Sequence, residues 1–113
     1  METPKNFENM RKELEIISEK TRYKILLTLL ASEISLSFSR LKALLPSIPE
    51  NNLTYHLKIL KENNFIKNEK RMVYKRSEPR SFYCLSKKSL DLLTSLGLTS
   101  VKEEFQALFK QMT

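Results

Sequence analysis

The spacing of apolar residues changes twice along this chain, and that change restricts what it can fold into. Up to Asn64 they recur every three or four positions, as on a helix with one buried stripe. From Phe65 the period shortens toward that of a strand, and after Ser86 the helical period returns. Such a pattern makes a mainly α chain of the α+β kind, with helices on both sides of one short β segment. At 113 residues it is one domain, long enough for a modest core and some appended helix.

Turns must come from Pro, Asn and Ser, because the chain has one glycine, Gly97. Thr3-Pro4 opens a first helix, in which Phe7, Met10, Leu14 and Ile17 form a stripe opposite the pairs Glu8/Lys12 and Arg11/Glu15. TRYKILLTLLAS makes a second, with Ile25, Leu26, Leu29 and Leu30 inward. A short extended piece at 34–36 follows. Ser37 caps a third helix, FSRLKALL, whose Phe38, Leu41, Leu44 and Leu45 face the core until Pro46 ends it. Ser47 starts the fourth helix: it has capping-box spacing to Glu50, and Pro49 falls in the first turn. Leu53, Leu57 and Leu60 are its buried seam, and Asn63-Asn64 its end, since asparagine tolerates the left-handed conformation. Residues 65–76 and 80–85 read as two strands joined by a turn holding Ser77-Glu78-Pro79. Ser86 caps a further helix that Gly97 closes, and Ser100 with Glu103 opens a last one.

Charge and chemistry narrow the function. The net charge is +7, and residues 64–85 carry six basic against two acidic groups. A basic excess of this kind points to a polyanion, nucleic acid before membrane, because no long basic amphipathic face accompanies it. One cysteine, Cys84, makes neither an internal disulfide nor a thiolate cluster. His56 has no second histidine to share a metal with, so we expect it to pack or hydrogen-bond, and we expect no metal and no cofactor. No acid–base pair, activated nucleophile or phosphate-cradling glycine loop stands out, which argues against an enzyme. The charged amino terminus has no signal-peptide core and no apolar run reaches membrane length, so a cytoplasmic protein is expected.

The order of elements carries a resemblance. TRYKILLTLL, SLSFSRLKALL, LTYHLKILKENNFI and RSFYCLSKKSLDLL are similar, in sequence order, to the first core helix, the strand and positioning helix, the recognition helix, and the second wing strand with its following helix of the ArsR/MarR-like class of winged helix-turn-helix regulators. Two positions depart from that pattern: Asn64 stands where the class usually has glycine, and Arg40 where an acidic capping partner is common. The resemblance implies a winged helix-turn-helix with a two-stranded wing over residues 19–96, an additional helix at 1–18 and another at 97–113. The metal sensing known in part of that class does not carry over, and no effector is assigned.

What such a domain does follows from groove geometry. A helix fits the major groove of duplex DNA, and residues near its amino end reach base edges. With the leucine seam inward, Glu50, Asn51, Asn52, Thr54 and Tyr55 become the base-reading candidates. Ser37, Ser39, Arg40, Lys42, Lys58, Lys70, Arg71, Lys75, Arg76 and Arg80 become the backbone candidates, the last five on the wing. About six neutralised phosphates per subunit would give a log–log salt slope near −5. The stripes Phe7, Met10, Leu14, Ile17 and Val101, Phe105, Leu108, Phe109, Met112 exceed what a minimal winged domain needs, and are expected to form a homodimer interface. A sequence-specific regulator of transcription is therefore expected. The alternatives are a winged-helix protein-interaction module, or an RNA or single-strand binder stacking bases on Tyr74 and Phe82.

Overall fold

The computed structural model describes residues 5–75, 77–98, 106, 107 and 110. Eight elements follow in order: α1 (Lys5–Ser18), α2 (Lys20–Ala31), β1 (Leu36–Ser37), α3 (Phe38–Leu44), α4 (Glu50–Glu62), β2 (Ile66–Arg71), β3 (Arg80–Leu85) and α5 (Lys87–Ser95). The strands form one antiparallel sheet in the order β1-β3-β2. β3 is thus the central strand, and it ties the two-residue β1 ahead of α3 to the hairpin after α4. Ile66 pairs with Leu85 and Arg71 with Arg80 along β2–β3, while Leu36 pairs with Tyr83 along β1–β3.

The helices form where the apolar spacing placed them, and their ends obey local chemistry. α1 and α2 are separated by Glu19 alone, whose carboxylate caps α2 by accepting from the Arg22 backbone N–H at 2.9 Å. Ser37 caps α3 through Arg40 N–H, and Ser86 caps α5 through Ser89 N–H. α4 ends in a Schellman motif: Asn64 has φ +63°, Phe65 N–H reaches Leu60 O at 2.9 Å, and Asn64 N–H reaches Lys61 O at 3.1 Å. Gly97, at φ +77°, takes the same left-handed step after α5, where a Cβ would be strained.

One core joins these elements. Ile17 of α1, Ile25, Leu26, Leu29 and Leu30 of α2, Leu41 and Leu44 of α3, Leu53, Leu57 and Leu60 of α4, and Leu92 and Leu93 of α5 are all buried in it. Phe65 is fully buried where the chain leaves α4. Its carbonyl oxygen accepts from Ser86 Oγ, Ser86 N–H and Ser89 Oγ, and Lys88 Nζ lies 4.3 Å from its ring centroid while donating to Asn63 O. The exit of α4 is therefore fastened to the start of α5, which fixes the direction in which the hairpin leaves.

Several expectations are corrected. The extended piece sits at 36–37, not 34–36, and Ile34 is exposed. The fourth helix begins at Glu50 with Pro49 as its N-cap, and no side chain caps it. Proline at 49 takes an extended backbone there, and the Glu50 carboxylate turns to Lys42 instead of back to Ser47. The first hairpin strand stops at Arg71, five residues short of its expected end, so the connection is longer. On α1, Glu8 pairs with Arg11 at 2.7 Å, where Lys12 was expected. Ile17 is buried and Leu14 packs on the core within the one chain, whereas Phe7 and Met10 stay exposed. Thr3-Pro4, the Ser100–Glu103 box, Arg76, and the stripe Val101, Phe105, Leu108, Phe109, Met112 lie outside the described residues.

Candidate nucleic-acid interface

α3, the turn holding Pro46 and Pro49, and α4 form the helix-turn-helix, with buried Leu45 and Ile48 pinning the turn to the core. At 3.6 residues per turn each step along α4 rotates about 100°, so the residues divide by direction. Leu53, Leu57 and Leu60 point inward and are at most 2% exposed. Burying each stabilises the docked helix by about 2 kcal/mol, which holds α4 in one rotational setting. Asn51, Asn52 and Tyr55 consequently project to solvent from the opposite side, in the first two turns. Thr54 is exposed too, but its hydroxyl donates back to Glu50 O at 3.0 Å, leaving the methyl as its free group.

The two flanks of α4 differ. On one, Thr54, Leu57, Lys58 and Lys61 face Asn68 and Lys70 of β2 and Ser81 and Tyr83 of β3 across a cleft of about 260 Å³. Three ammonium groups, a carboxamide and the Ser81 and Tyr83 hydroxyls, beside Thr54 whose hydroxyl is already engaged, line a space suited to a phosphate group, which accepts from those donors. On the other flank His56 is mostly buried. Its Nδ1 lies 3.1 Å from an Arg22 guanidinium nitrogen and 3.7 Å from Glu19 Oε2. Guanidinium can only donate, so Nδ1 accepts and the imidazole carries its proton on Nε2. Arg22 also donates through Nε to Ile16 O at 2.6 Å. Burial pushes the Glu19 carboxyl up, but the backbone N–H groups of Arg22 and Thr21, aided by the Arg22 guanidinium, hold it below the ordinary carboxylate range. His56 thus locks α4 to the α1–α2 corner as a hydrogen-bonding residue, and Tyr55 meets its ring edge-on at 5.0 Å.

The remaining backbone candidates fall into two groups. Some are already engaged: Lys42 Nζ is 2.7 Å from Glu50 Oε2, and Arg71 is 2.8 Å from Glu69 Oε2. The Arg71 guanidinium also covers the Phe82 ring at 5.0 Å, which removes Phe82 as a platform for a base. Arg71 and Arg80 are cross-strand partners, an unfavourable like-charge pairing, and each turns to its own acceptor. Arg80 donates to Ser39 Oγ at 3.1 Å, so the hairpin base is tied to α3. Ser37 Oγ is occupied as the α3 cap. Arg40, Lys58, Lys70 and Lys75 are exposed and, among the described residues, unpaired with any carboxylate. Lys61, Asn68, Ser81 and Tyr83 were not singled out from sequence. Only the closure of the hairpin onto α4 brings them together.

This geometry, with a three-stranded sheet whose hairpin flanks an exposed second helix, is a winged helix-turn-helix fold. Residues 17–69 match the family described as "Helix-turn-helix domain". Solved structures share the fold. A protein with a GntR superfamily winged-helix-turn-helix domain from Halomicrobium mukohataei superposes with a TM-score of 0.86 at 22% identity, covering 100% of this chain and 81% of that one. A regulator assigned to the MarR family from Enterococcus faecalis V583 gives 0.70 at 20% identity, covering 100% and 97%. Another so assigned, from Porphyromonas gingivalis W83, gives 0.63 at 22%, covering 88% and 93%. No curated protein matches the chain.

Proposed function

We propose that the chain is a sequence-specific, double-stranded DNA-binding regulator of transcription that works as a homodimer. The observation that carries this reading is the outward set Asn51, Asn52 and Tyr55, exposed at the amino end of a helix whose leucine seam allows no other rotation. Asparagine pairs bidentately with adenine, the Thr54 methyl meets a thymine methyl, and the Tyr55 hydroxyl bonds a base or a phosphate. Lys58, Lys61 and Lys70 receive a backbone phosphate in their cleft, and Arg40, Lys75 and Arg80 extend the basic rim. Glu50 acts as the partner of Lys42.

A second copy is expected at α1. Phe7 is 63% exposed and Met10 48%, one turn apart on the same face, and a two-fold axis covers both at once. Two copies would read half-sites about one turn of DNA apart. Selection of bound fragments from random duplex DNA tests the proposal. A symmetric site bound by two chains is expected, and Asn52→Ala with Tyr55→Ala should weaken that site far more than a scrambled one. Equal loss on both duplexes would refute base reading, and one chain per site would refute the dimer.

A further inference from the structure

We propose that Met72 and Tyr74, at the tip of the hairpin, form an apolar wedge that enters the minor groove and partly unstacks one base step. This rests on the duplex-binding reading above and adds a deformation to it. Tyr74 is 86% exposed and Met72 66%, among the most exposed large apolar side chains described. They lie two residues apart, with half-buried Val73 between them. Single exposed apolar residues are ordinary, but two together on a projecting loop leave a concentrated area of unsatisfied surface.

The setting identifies what covers it. Lys70 and Arg71 precede the pair, Lys75 follows it, and Arg80 returns on the opposite strand; against them stand Glu69, which pairs with Arg71, and Glu78, so the balance beside the pair is positive and favours a polyanionic partner. Lys75 adopts φ +65°, a sharp reversal for a residue with a side chain, and its ammonium sits 5.5 Å from the Tyr74 ring centroid. The reversal comes directly after Tyr74 and leaves a cation beside its ring. A protein or lipid partner would meet the apolar pair through a surrounding collar of positive charge. Duplex DNA presents phosphate walls to the collar and a stack of base faces between them. Methionine and other apolar side chains inserted into the minor groove separate base steps and kink the duplex, and an aromatic ring restores part of the lost stacking. Arg71 pairs with Glu69 on its own strand and Arg80 donates to Ser39 Oγ of α3, so contacts of their own support the strand ends beneath the wedge.

The test uses the full chain and the selected duplex with 2-aminopurine placed singly at each adenine flanking the recognised bases. Wild type should raise 2-aminopurine emission severalfold at one step and retard circularly permuted fragments as a bent complex. The double variant Met72→Ser, Tyr74→Ser should still bind, within about tenfold of wild type, but lose both the emission rise and the bend. Tyr74→Phe should keep them, because the ring and not its hydroxyl does the unstacking. If wild type binds with no emission rise and no bend, or if the double variant gives the same rise, the wedge is refuted while duplex binding stands. If wild type shifts no duplex at all, the reading beneath it fails first, and the wedge with it.

Discussion

The Lys42–Glu50 ion pair makes the sharpest energetic prediction. It joins α3 to the first turn of α4 at 2.7 Å, with both side chains more than half exposed. Exposed pairs of this kind contribute about 0–1 kcal/mol to folding, so Glu50→Gln should leave the protein folded with little change in unfolding midpoint. Its effect on DNA should be much larger. Arg40, Lys58, Lys61, Lys70, Lys75 and Arg80 lie on the proposed face without a carboxylate partner among the described residues, whereas Lys42 is neutralised by Glu50 and Arg71 by Glu69. Six such cations per subunit contribute roughly −5.4 to the slope of log K against log salt, at about 0.9 per phosphate, and a bound dimer twice that. Releasing Lys42 to a phosphate adds one contact per subunit and takes each subunit's share to roughly −6.3, worth about eightfold in affinity per subunit near 0.1 M salt. Anisotropy of a labelled duplex, titrated between about 50 and 200 mM salt, reads both quantities. The gain should appear equally on selected and scrambled sequences, because phosphates carry no sequence. An unchanged or shallower slope would refute the reasoning. A loss confined to the selected site would show that the Glu50 carboxylate reads a base and that the pair opens on DNA.

Three further outcomes follow from the fold. Leu57→Ala removes a side chain 2% exposed from the α4 seam and should cost about 2–5 kcal/mol in urea unfolding, with a parallel loss of specific binding as α4 loosens. Asn64→Ala places a Cβ-bearing residue without asparagine's local hydrogen bonding at φ +63° and should cost about 1 kcal/mol, whereas Asn64→Gly should be neutral or slightly stabilising in the same measurement. The Glu19 carboxyl, held below its unfolded value, stabilises the fold above the ordinary carboxylate pKa, and this contribution disappears as pH falls through the lowered folded value. Wild type should therefore exceed Glu19→Gln in thermal midpoint near neutrality and converge with it in acid; a constant offset at every pH would contradict that linkage.

The helices were legible because their signals are local. Leucines spaced at 53, 57 and 60, a serine before each of α3 and α5, and asparagine tolerating a left-handed step at 64 need no partner elsewhere in the chain. The errors arose where two local rules competed. Ser47 and Glu50 had the spacing of a capping box, but the helix starts at Glu50, where the intervening Pro49 is extended and the carboxylate pairs with Lys42 eight residues earlier. The first hairpin strand was overextended because MVYKR continues a strand-like composition past Arg71. The candidate site divides the same way. The exposed face of α4 follows from its period, since fixing the seam fixes the opposite side. Its flanks do not: the Glu19–Arg22–His56 linkage joins residues 34 apart in sequence, and the lysine cleft depends on how β2 and β3 close against α4. His56 could be read as a hydrogen-bonding residue from its isolation, but not its partner.

The placement of that α4 face in the major groove is tested most directly by methylation interference with dimethyl sulfate on the selected duplex, which marks guanine N7 in the major groove and adenine N3 in the minor. Methyl groups at guanine N7 within each half-site should abolish binding, and adenine N3 methylation should interfere only outside them, where the hairpin reaches. Binding indifferent to every N7 methyl in the site, or blocked only by minor-groove methylation at its centre, would contradict the account.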